Sequence, residues 1–307
     1  MDSPPLIDVV VATNRCSPFL AETLDSVLAQ TWTHWRLTLV DDGSPDPEAN
    51  AAALSAVSRA RIVRQRPAGL AAARNTGIAA TTGEFLVFLD DDDTWEPERL
   101  ERQAVALQAS PDAVAACSGG SYIAADGTPF GEGWHARPAA TSTFLRGLAE
   151  LPRITTLMVR RSAIVAVGGF DPRYSSAEDI DLALKLVRLG QVIPIDEPLV
   201  RYRRHSDNMT VTMPSLVMQR NFETVLLTQA AAVRGAGDTQ AADHLSEFLT
   251  RVRRQHAAEL HRRIAIHARE HRLAPIARDL VWTVPRAPLA ALSGAGRAIL
   301  RWVRRRR

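Results

Sequence analysis

The sequence predicts an α/β fold: a mostly parallel, doubly wound central sheet with helices on both faces, followed by a helical C-terminal appendage. Three observations carry this reading. Short β-branched runs alternate with helix-length segments over residues 7–89, and polar clusters stand where three of those runs stop. From residue 214 onward every segment has helical periodicity. With 307 residues, 46% of them hydrophobic, the chain can bury a large core and still carry an appendage.

Residues 7–12 are rich in valine and end at Thr13-Asn14, a strand with a polar stop. Residues 18–30 place Leu20, Leu24, Val27 and Leu28 on one helical face. A second strand, 36–40, ends in the turn signal Asp41-Asp42-Gly43-Ser44. Residues 61–63 read as a third strand, 70–80 as a helix, and 85–89 as a fourth strand that stops at Asp90-Asp91-Asp92-Asp93. Repeated strand–helix units argue for parallel pairing, and such sheets bind ligands beyond the carboxyl ends of their strands. Thr13, Asp41, Asp42 and Asp90 to Asp93 should therefore converge on one crevice. Beyond residue 112 the alternation loosens. Residues 114–117, 121–124 and 154–159 read as strands, Asp126-Gly127 as a turn, and 131–138 as a glycine-rich loop around Trp134. A helix over 178–189 leads through Gly190 into an extended 192–202. The predicted organisation is a main domain over 1–212, with halves near 1–112 and 113–212, and a helical basic region over 213–307.

Four adjacent aspartates repel one another, so a fold that gathers them at a strand end expects a cation there or raised pKa values. Oxygen-only ligation favours magnesium or manganese over zinc. The net charge of +3 hides an asymmetry: from residue 251 fifteen arginines face three acids, a balance of +12, which leaves −9 on residues 1–250. An acidic body argues against a nucleic-acid-binding core, whose arginines would lie on the folded domain. Cys16 and Cys117 show no redox or metal spacing, which predicts a reduced, cytosolic setting. The first eight residues lack the basic and apolar regions of a signal peptide. No uncharged apolar run approaches the roughly 18 residues of a membrane span.

In order along the chain stand Val11-Ala12-Thr13-Asn14, Gln30-Thr31-Trp32, Val40-Asp41-Asp42-Gly43-Ser44 and Gly69-Leu70-Ala71-Ala72-Ala73-Arg74-Asn75-Thr76-Gly77. They are followed by Phe88-Leu89-Asp90-Asp91-Asp92-Asp93, Gly168-Gly169-Phe170-Asp171, Glu178-Asp179 and Tyr202-Arg203-Arg204-His205. This ordered set, spanning residues 6–210, resembles the family 2 glycosyltransferases of the GT-A fold. The resemblance implies an inverting transfer of a sugar from a nucleotide-diphosphate sugar to an acceptor hydroxyl, in bacterial cell-surface polysaccharide or glycolipid biosynthesis. It also implies a divalent cation, manganese or magnesium, on the diphosphate, and a donor half and an acceptor half within 1–212.

By that resemblance Asp42, or second to it Asp41, accepts hydrogen bonds from the donor's base or ribose, while Thr13 and Asn14 line the base pocket. A carboxylate acceptor suits the N–H edge of uracil or thymine, so UDP- and dTDP-sugars are favoured and GDP-sugars come third. Arg74 lies in an alanine-rich helix and needs an anionic partner, carboxylate or phosphate. The resemblance assigns it to the donor, with Asn75 as support for the helix turn. The acidic run admits two aspartate–any–aspartate registers, Asp90 with Asp92 or Asp91 with Asp93. Family spacing selects the first. Asp92 and then Asp90 become the metal ligands, Asp91 the variable member on the donor side, and Asp93 a cap for the helix that Pro97 opens. His205 matches the family's closing histidine at the metal or diphosphate end. Arg201, Arg203 and Arg204 beside it read as diphosphate holders or as solvated charges. The catalytic base must be a carboxylate near the acceptor hydroxyl. Taken alone, Ser176-Ala177-Glu178-Asp179 fits a capping box; the resemblance places the base on Asp179, with Glu178 and Trp134 supporting on the acceptor side.

In the C-terminal region, residues 215–233 and 241–269 read as packed helices, and His256, His261, His267 and His271 form no metal set. Leu289, Leu292, Ile299, Leu300 and Val303 share a helical face, interspersed with Arg297 and Arg301 and closed by Trp302. A basic amphipathic helix of this kind suits an anionic membrane surface; docking on the acidic body and disorder are the alternatives. Together these features imply a cytoplasmic enzyme, peripheral on the inner face of the cytoplasmic membrane, that acts on a glycan or lipid-linked acceptor. Two other classes compete. A nucleotidyltransferase would call for a lysine-bearing activation loop, and Lys185 is the only lysine. An inactive sugar-nucleotide scaffold would have no need of Asp92 and Asp179 together.

Overall fold

The structure is a computed structural model that describes residues 3–137, 145, 151–213 and 215–269. The chain divides into two compact units, Met1–Val225 and Leu226–Arg307. In the first, β1 (Ile7–Thr13), β2 (Trp35–Asp41), β3 (Ala60–Arg64) and β4 (Phe85–Asp90) pair in parallel in the order β3-β2-β1-β4. The sheet continues with β7 (Leu157–Arg160), β6 (Ala115–Ile123), β8 (Val192–Arg203) and β5 (Thr94–Trp95). Of these, β6 and β8 run parallel to each other, while β7 is antiparallel to β4 and β6, and β5 to β8. Strand order reverses between β1 and β4, where Ala12 pairs with Asp90. That switch point is where open α/β sheets bind ligands.

Both faces of the sheet are covered, which is why β1 is buried along its whole length. Alternation along each strand separates two cores. Val9, Val11, Val87 and Leu89 face Leu20, Leu24 and Val27 of α1 (Leu20–Leu28) and Leu100 and Leu107 of α4 (Arg99–Ala109). Val10, Leu86 and Phe88 face α3 (Leu70–Ala80), Ile164 of α5 (Arg161–Ala166), and Leu182 and Leu186 of α6 (Glu178–Leu189).

Several elements differ from the sequence reading. Helix α2 (Pro47–Leu54) stands where the sequence pattern predicts no element; Asp46 caps it by accepting from the amides of Glu48 and Ala49, and Pro47 occupies its first turn. Residues 114–117 and 121–124 belong to one strand, β6, whose pairing with β8 shifts register at Gly119 and Gly120. Glycine is required at 120, where a Cβ would collide with the Trp134 ring. Residues 154–156 form a 3-10 turn before β7. Asp93 does not cap the next helix: α4 begins after Glu98 without a side-chain cap. Asp93 is instead fully buried, and its Oδ1 accepts from the Arg203 amide at 2.9 Å. The capping box at 176–179 is absent too, because Ser176 accepts from Asn221 and α6 starts from Ala177 without a side-chain cap.

Helix α7 (Met209–Thr212) follows β8, and α8 (Ser215–Gly235) runs through the boundary at 225. In the second unit, Leu226, Ala230 and Val233 of α8 are buried, as are Leu245, Phe248, Leu249 and Val252 of α9 (Thr239–Arg269). Asp238 accepts from the Ala241 amide and so caps α9. Among the described residues no helix is long and apolar enough to cross a membrane. His271 and the amphipathic stretch 288–307 lie outside the described residues.

Candidate active site

A cavity of about 350 Å³ opens at the carboxyl ends of β1, β2 and β4. Of the residues singled out in the sequence, Thr13, Asn14, Asp42, Asp90, Asp91 and Asp92 border it, together with Arg15, Leu70, Ala73, Tyr202, Asp207 to Thr210 and Thr212. Asp41, Arg74, Glu178, Asp179, His205 and Trp134 do not line it.

The turn after β2 explains why two adjacent aspartates part company. Asp41 is buried and folds back to accept from the Ser44 amide at 2.8 Å, the Ser44 hydroxyl at 2.7 Å and Asn50 Nδ2 at 3.3 Å. Burial pushes its carboxyl up, but those hydrogen bonds outweigh it and hold the group below the usual range. Asp41 therefore builds the turn and stands apart from the cavity, which corrects its donor-binding assignment. Asp42 borders the cavity and also accepts from Gln65 Nε2, the Ala68 amide and the Gly69 amide, between 2.7 and 2.8 Å. It thereby fixes the entry to α3, where Gly69 takes a φ of 90° that side-chain-bearing residues rarely adopt.

The acidic run is held by two arginines. Arg74, nearly fully buried, donates through Nη2 to Asp90 at 2.7 Å and through Nη1 to Glu178 at 2.9 Å. Its anionic partners are thus two protein carboxylates. Arg15, which no sequence motif singles out, donates through Nε and Nη2 to Asp91 and through Nη2 to Asp92 at 2.8 Å. Asp91 also accepts from the Thr13 hydroxyl at 2.5 Å, so this variable member organises the site. Asp92 Oδ2 collects Arg15, His205 Nε2 at 2.9 Å and Asn208 Nδ2 at 3.4 Å. His205 Nδ1 accepts from the Asp207 amide, and its Nε2 meets both Asp92 Oδ2 and, at 3.2 Å, Asn208 Nδ2. In this arrangement His205 sits against Asp92 and orients it; among the described residues no group of three or more His, Cys, Asp or Glu side chains is arranged as a metal site. Burial, then the charges of Asp90 and Asp91, push the Asp92 carboxyl up.

Arg203 is also committed to the protein. It is fully buried, donates to the carbonyls of Asp92, Ala124 and Ala125, and pairs with Glu22 at 2.6 Å. Arg201 holds Glu96 through two hydrogen bonds. Neither arginine is a diphosphate holder here. Trp134 pairs its backbone with Gly120 outside the cavity.

Glu178 and Asp179 open α6. The residue before them, Ala177, has a φ of 69°, the one left-handed non-glycine among the described residues. Such strain, of order 1 kcal/mol or more, persists where the surroundings impose it, and it clusters at functional sites. Upstream, the Asn75 side-chain amide donates to the Phe170 carbonyl at 2.7 Å and accepts from the Phe170 amide at 2.9 Å. The Gly168-Gly169-Phe170 loop is thereby bolted to the helix that carries Arg74, and Arg74 in turn lies over the Phe170 ring. Burial pushes the carboxyls of both Glu178 and Asp179 up, Glu178 to about 7, against the pull of Arg74. Three carboxylates around one guanidinium cannot all ionise cheaply.

A pH signature follows. Between about 4.5 and 7 the folded protein holds a proton on Glu178 that the unfolded chain releases, so this group costs stability as pH rises through that window. The full cost across the window is on the order of 3 kcal/mol, since each pH unit within it contributes about 1.4 kcal/mol. In Glu178→Gln, urea midpoints measured from pH 4.5 to 7.5 should fall less steeply than in the unmodified protein; parallel slopes would refute the assignment.

Comparison with known proteins gives the following. The family model described as glycosyl transferase family 2 matches residues 8–166. An uncharacterised glycosyltransferase of Nostoc sp. is 25% identical over 256 residues, 80% of this chain and 76% of that protein. The O-antigen biosynthesis protein RfbC of Myxococcus xanthus is 32% identical over 211 residues, 66% of this chain but 16% of that protein, so the chain spans a small part of it. Among solved structures, S. aureus TarS 1–349 in complex with UDP-GlcNAc superposes with a TM-score of 0.63 at 20% identity, over 80% of this chain and 72% of that one. At that identity the likeness speaks for the fold.

Proposed function

The chain belongs to glycosyl transferase family 2, and on that premise we propose that it transfers a sugar, with inversion, from a nucleotide-diphosphate sugar to a hydroxyl of a cell-surface glycan or glycolipid precursor. The observation that carries this is the cavity at the switch point. Thr13, Asn14, Asp42 and Asp90 to Asp92 border it together, with the Thr13 hydroxyl on Asp91, while Arg74 ties Asp90 to the Glu178-Asp179 pair. The TarS complexes with UDP and with UDP-GlcNAc support a nucleotide-sugar donor by analogy of fold.

Asp90 and Asp92 fit a hard divalent cation. Both border the cavity with oxygen ligands, and Asp92, pushed up by burial and then by the charges of Asp90 and Asp91, sits where a cation would offset clustered carboxylates. An ion held there would supply charge neutralisation for the leaving diphosphate. The remaining work falls to side chains of this chain. Arg15 lines the cavity, and its Nη1, which makes no hydrogen bond among the described residues, is left to take a phosphate oxygen. Asp179 removes the proton of the acceptor hydroxyl, and burial, which raises its carboxyl against the pull of Arg74, makes it a stronger base than a free aspartate. Glu178 holds Arg74 in place.

Calorimetry with UDP-, dTDP- and GDP-sugars, with manganese and with EDTA, tests the donor assignment. One nucleotide class should bind, at least about tenfold more weakly in EDTA; no binding by any of the three sinks it. We further place the enzyme on the inner face of the cytoplasmic membrane through its basic tail. Removing residues 288–307 should lower its partition onto anionic vesicles, and unchanged partition would remove that placement.

A further inference from the structure

Next to the donor cavity lies a cluster that the donor chemistry leaves unused. Tyr122 near the end of β6 and Tyr202 near the end of β8 are register partners, with rings edge to face at 6.1 Å. Tyr202 lines the donor cavity, so the cluster is continuous with it. Around Tyr122 stand Trp134 at 5.2 Å and Phe130 at 5.9 Å, the latter 44% exposed. Two exposed guanidinium groups lie over these rings: Arg153 at 4.3 Å from Trp134, and Arg204 at 5.3 Å from Tyr122 and 5.8 Å from Tyr202.

Their pairing sets these two apart from nearby arginines. Arg201 is spent on Glu96 and Arg203 on Glu22, whereas among the described residues neither Arg153 nor Arg204 has a carboxylate within ion-pair distance. An aromatic platform offers flat apolar area to the faces of sugar rings. Guanidinium forks held over it present donors that match a phosphate or a carboxylate. The cluster lies on the carboxyl-end crest of the sheet, the same crest that holds Asp90.

We propose that Tyr122, Phe130, Trp134, Tyr202, Arg153 and Arg204 form the acceptor subsite, and that the acceptor is a glycan bearing negative charge, as phosphodiester or uronate groups. This rests on the cavity being the nucleotide-sugar site. The rings hold a sugar next to the donor and the two arginines hold its anionic substituent, so an uncharged glycan of equal length would fit the rings and leave both cations unpaired.

Trp fluorescence and calorimetry on the full chain at low ionic strength test this with three probes: an oligogalacturonate, a glycerol phosphate oligomer and a neutral maltooligosaccharide. At least one anionic probe should bind at least tenfold more tightly than the neutral one, and which of the two it is separates uronate from phosphodiester. Arg153→Gln with Arg204→Gln should lose about tenfold or more of that affinity, and Trp134→Phe should reduce both the affinity and the fluorescence response. Removing the same charge elsewhere, with Arg66→Gln and Arg102→Gln, should change it little. Nucleotide-sugar binding in manganese should be unaltered in every variant, which shows that fold and donor site are intact. Equal binding of anionic and neutral probes, no binding of either, or full affinity in the double arginine variant overturns the inference while donor binding stands. Absence of donor binding in the unmodified chain overturns the premise with it.

Discussion

Asp179→Asn should lower sugar transfer by about 10² to 10⁴, the usual worth of a general base, while nucleotide-sugar affinity stays within about twofold. The separation follows from position. Asp179 stands in the first turn of α6, half-buried, and accepts its own helix's Ile180 amide rather than lining the donor cavity. The substitution keeps the shape and removes only the basic oxygen. The profile of kcat/KM against pH should also lose its acidic limb, because burial has raised the group whose deprotonation sets it. A variant that lost donor affinity and transfer together would make Asp179 a binding residue; an unchanged rate would remove it from the chemistry.

Arg74→Met should produce the largest structural effect. Arg74 and Glu178 each expose only 4% of their side chains, and Asp90 shares the same guanidinium. Removing one partner of a buried ion pair leaves an uncompensated charge, a loss of about 3–5 kcal/mol. The loss should depend on pH. Without Arg74 the Glu178 carboxyl titrates higher still, so the folded protein takes up a proton that the unfolded chain does not, and the variant should recover stability as pH falls from 7 toward 5. Urea midpoints across that range give the result. Adding Glu178→Gln should restore part of the loss at pH 7, since it removes the stranded charge. A loss under about 1 kcal/mol, independent of pH, would mean that Arg74 carries no such burden.

Much of the fold was legible because the early strands are buried on both faces and read as continuous apolar runs. Helices α3 and α6 begin and end where the sequence places them. What was missed has local causes. Helix α2 has no apolar periodicity to reveal it, and its signal was the Asp46-Pro47 start. Strand β6 was split because Gly119-Gly120 reads as a break, whereas those glycines let the Trp134 segment approach. In the site, residue types were informative and pairings were not. Arg74 in a run of alanines announced an anionic partner, but only the fold shows two carboxylates. Asp93 reads as a cap in the sequence because its partner in the fold is Arg203, 110 residues away along the chain. Arg15 follows directly on Thr13-Asn14, and its contact with Asp91 and Asp92 is long-range, so no spacing rule could expose it.

Inversion by a single displacement, with Asp179 as base, is tested most directly by the anomeric configuration of the first product. The protein, manganese and the donor that binds in calorimetry can be followed by proton NMR, with water or an anionic glycan as acceptor, before mutarotation sets in. An α-linked nucleotide sugar should give the β-anomer first, and Asp179→Asn should abolish that early signal. The α-anomer appearing first, or the same early β signal from Asp179→Asn, would contradict the mechanism.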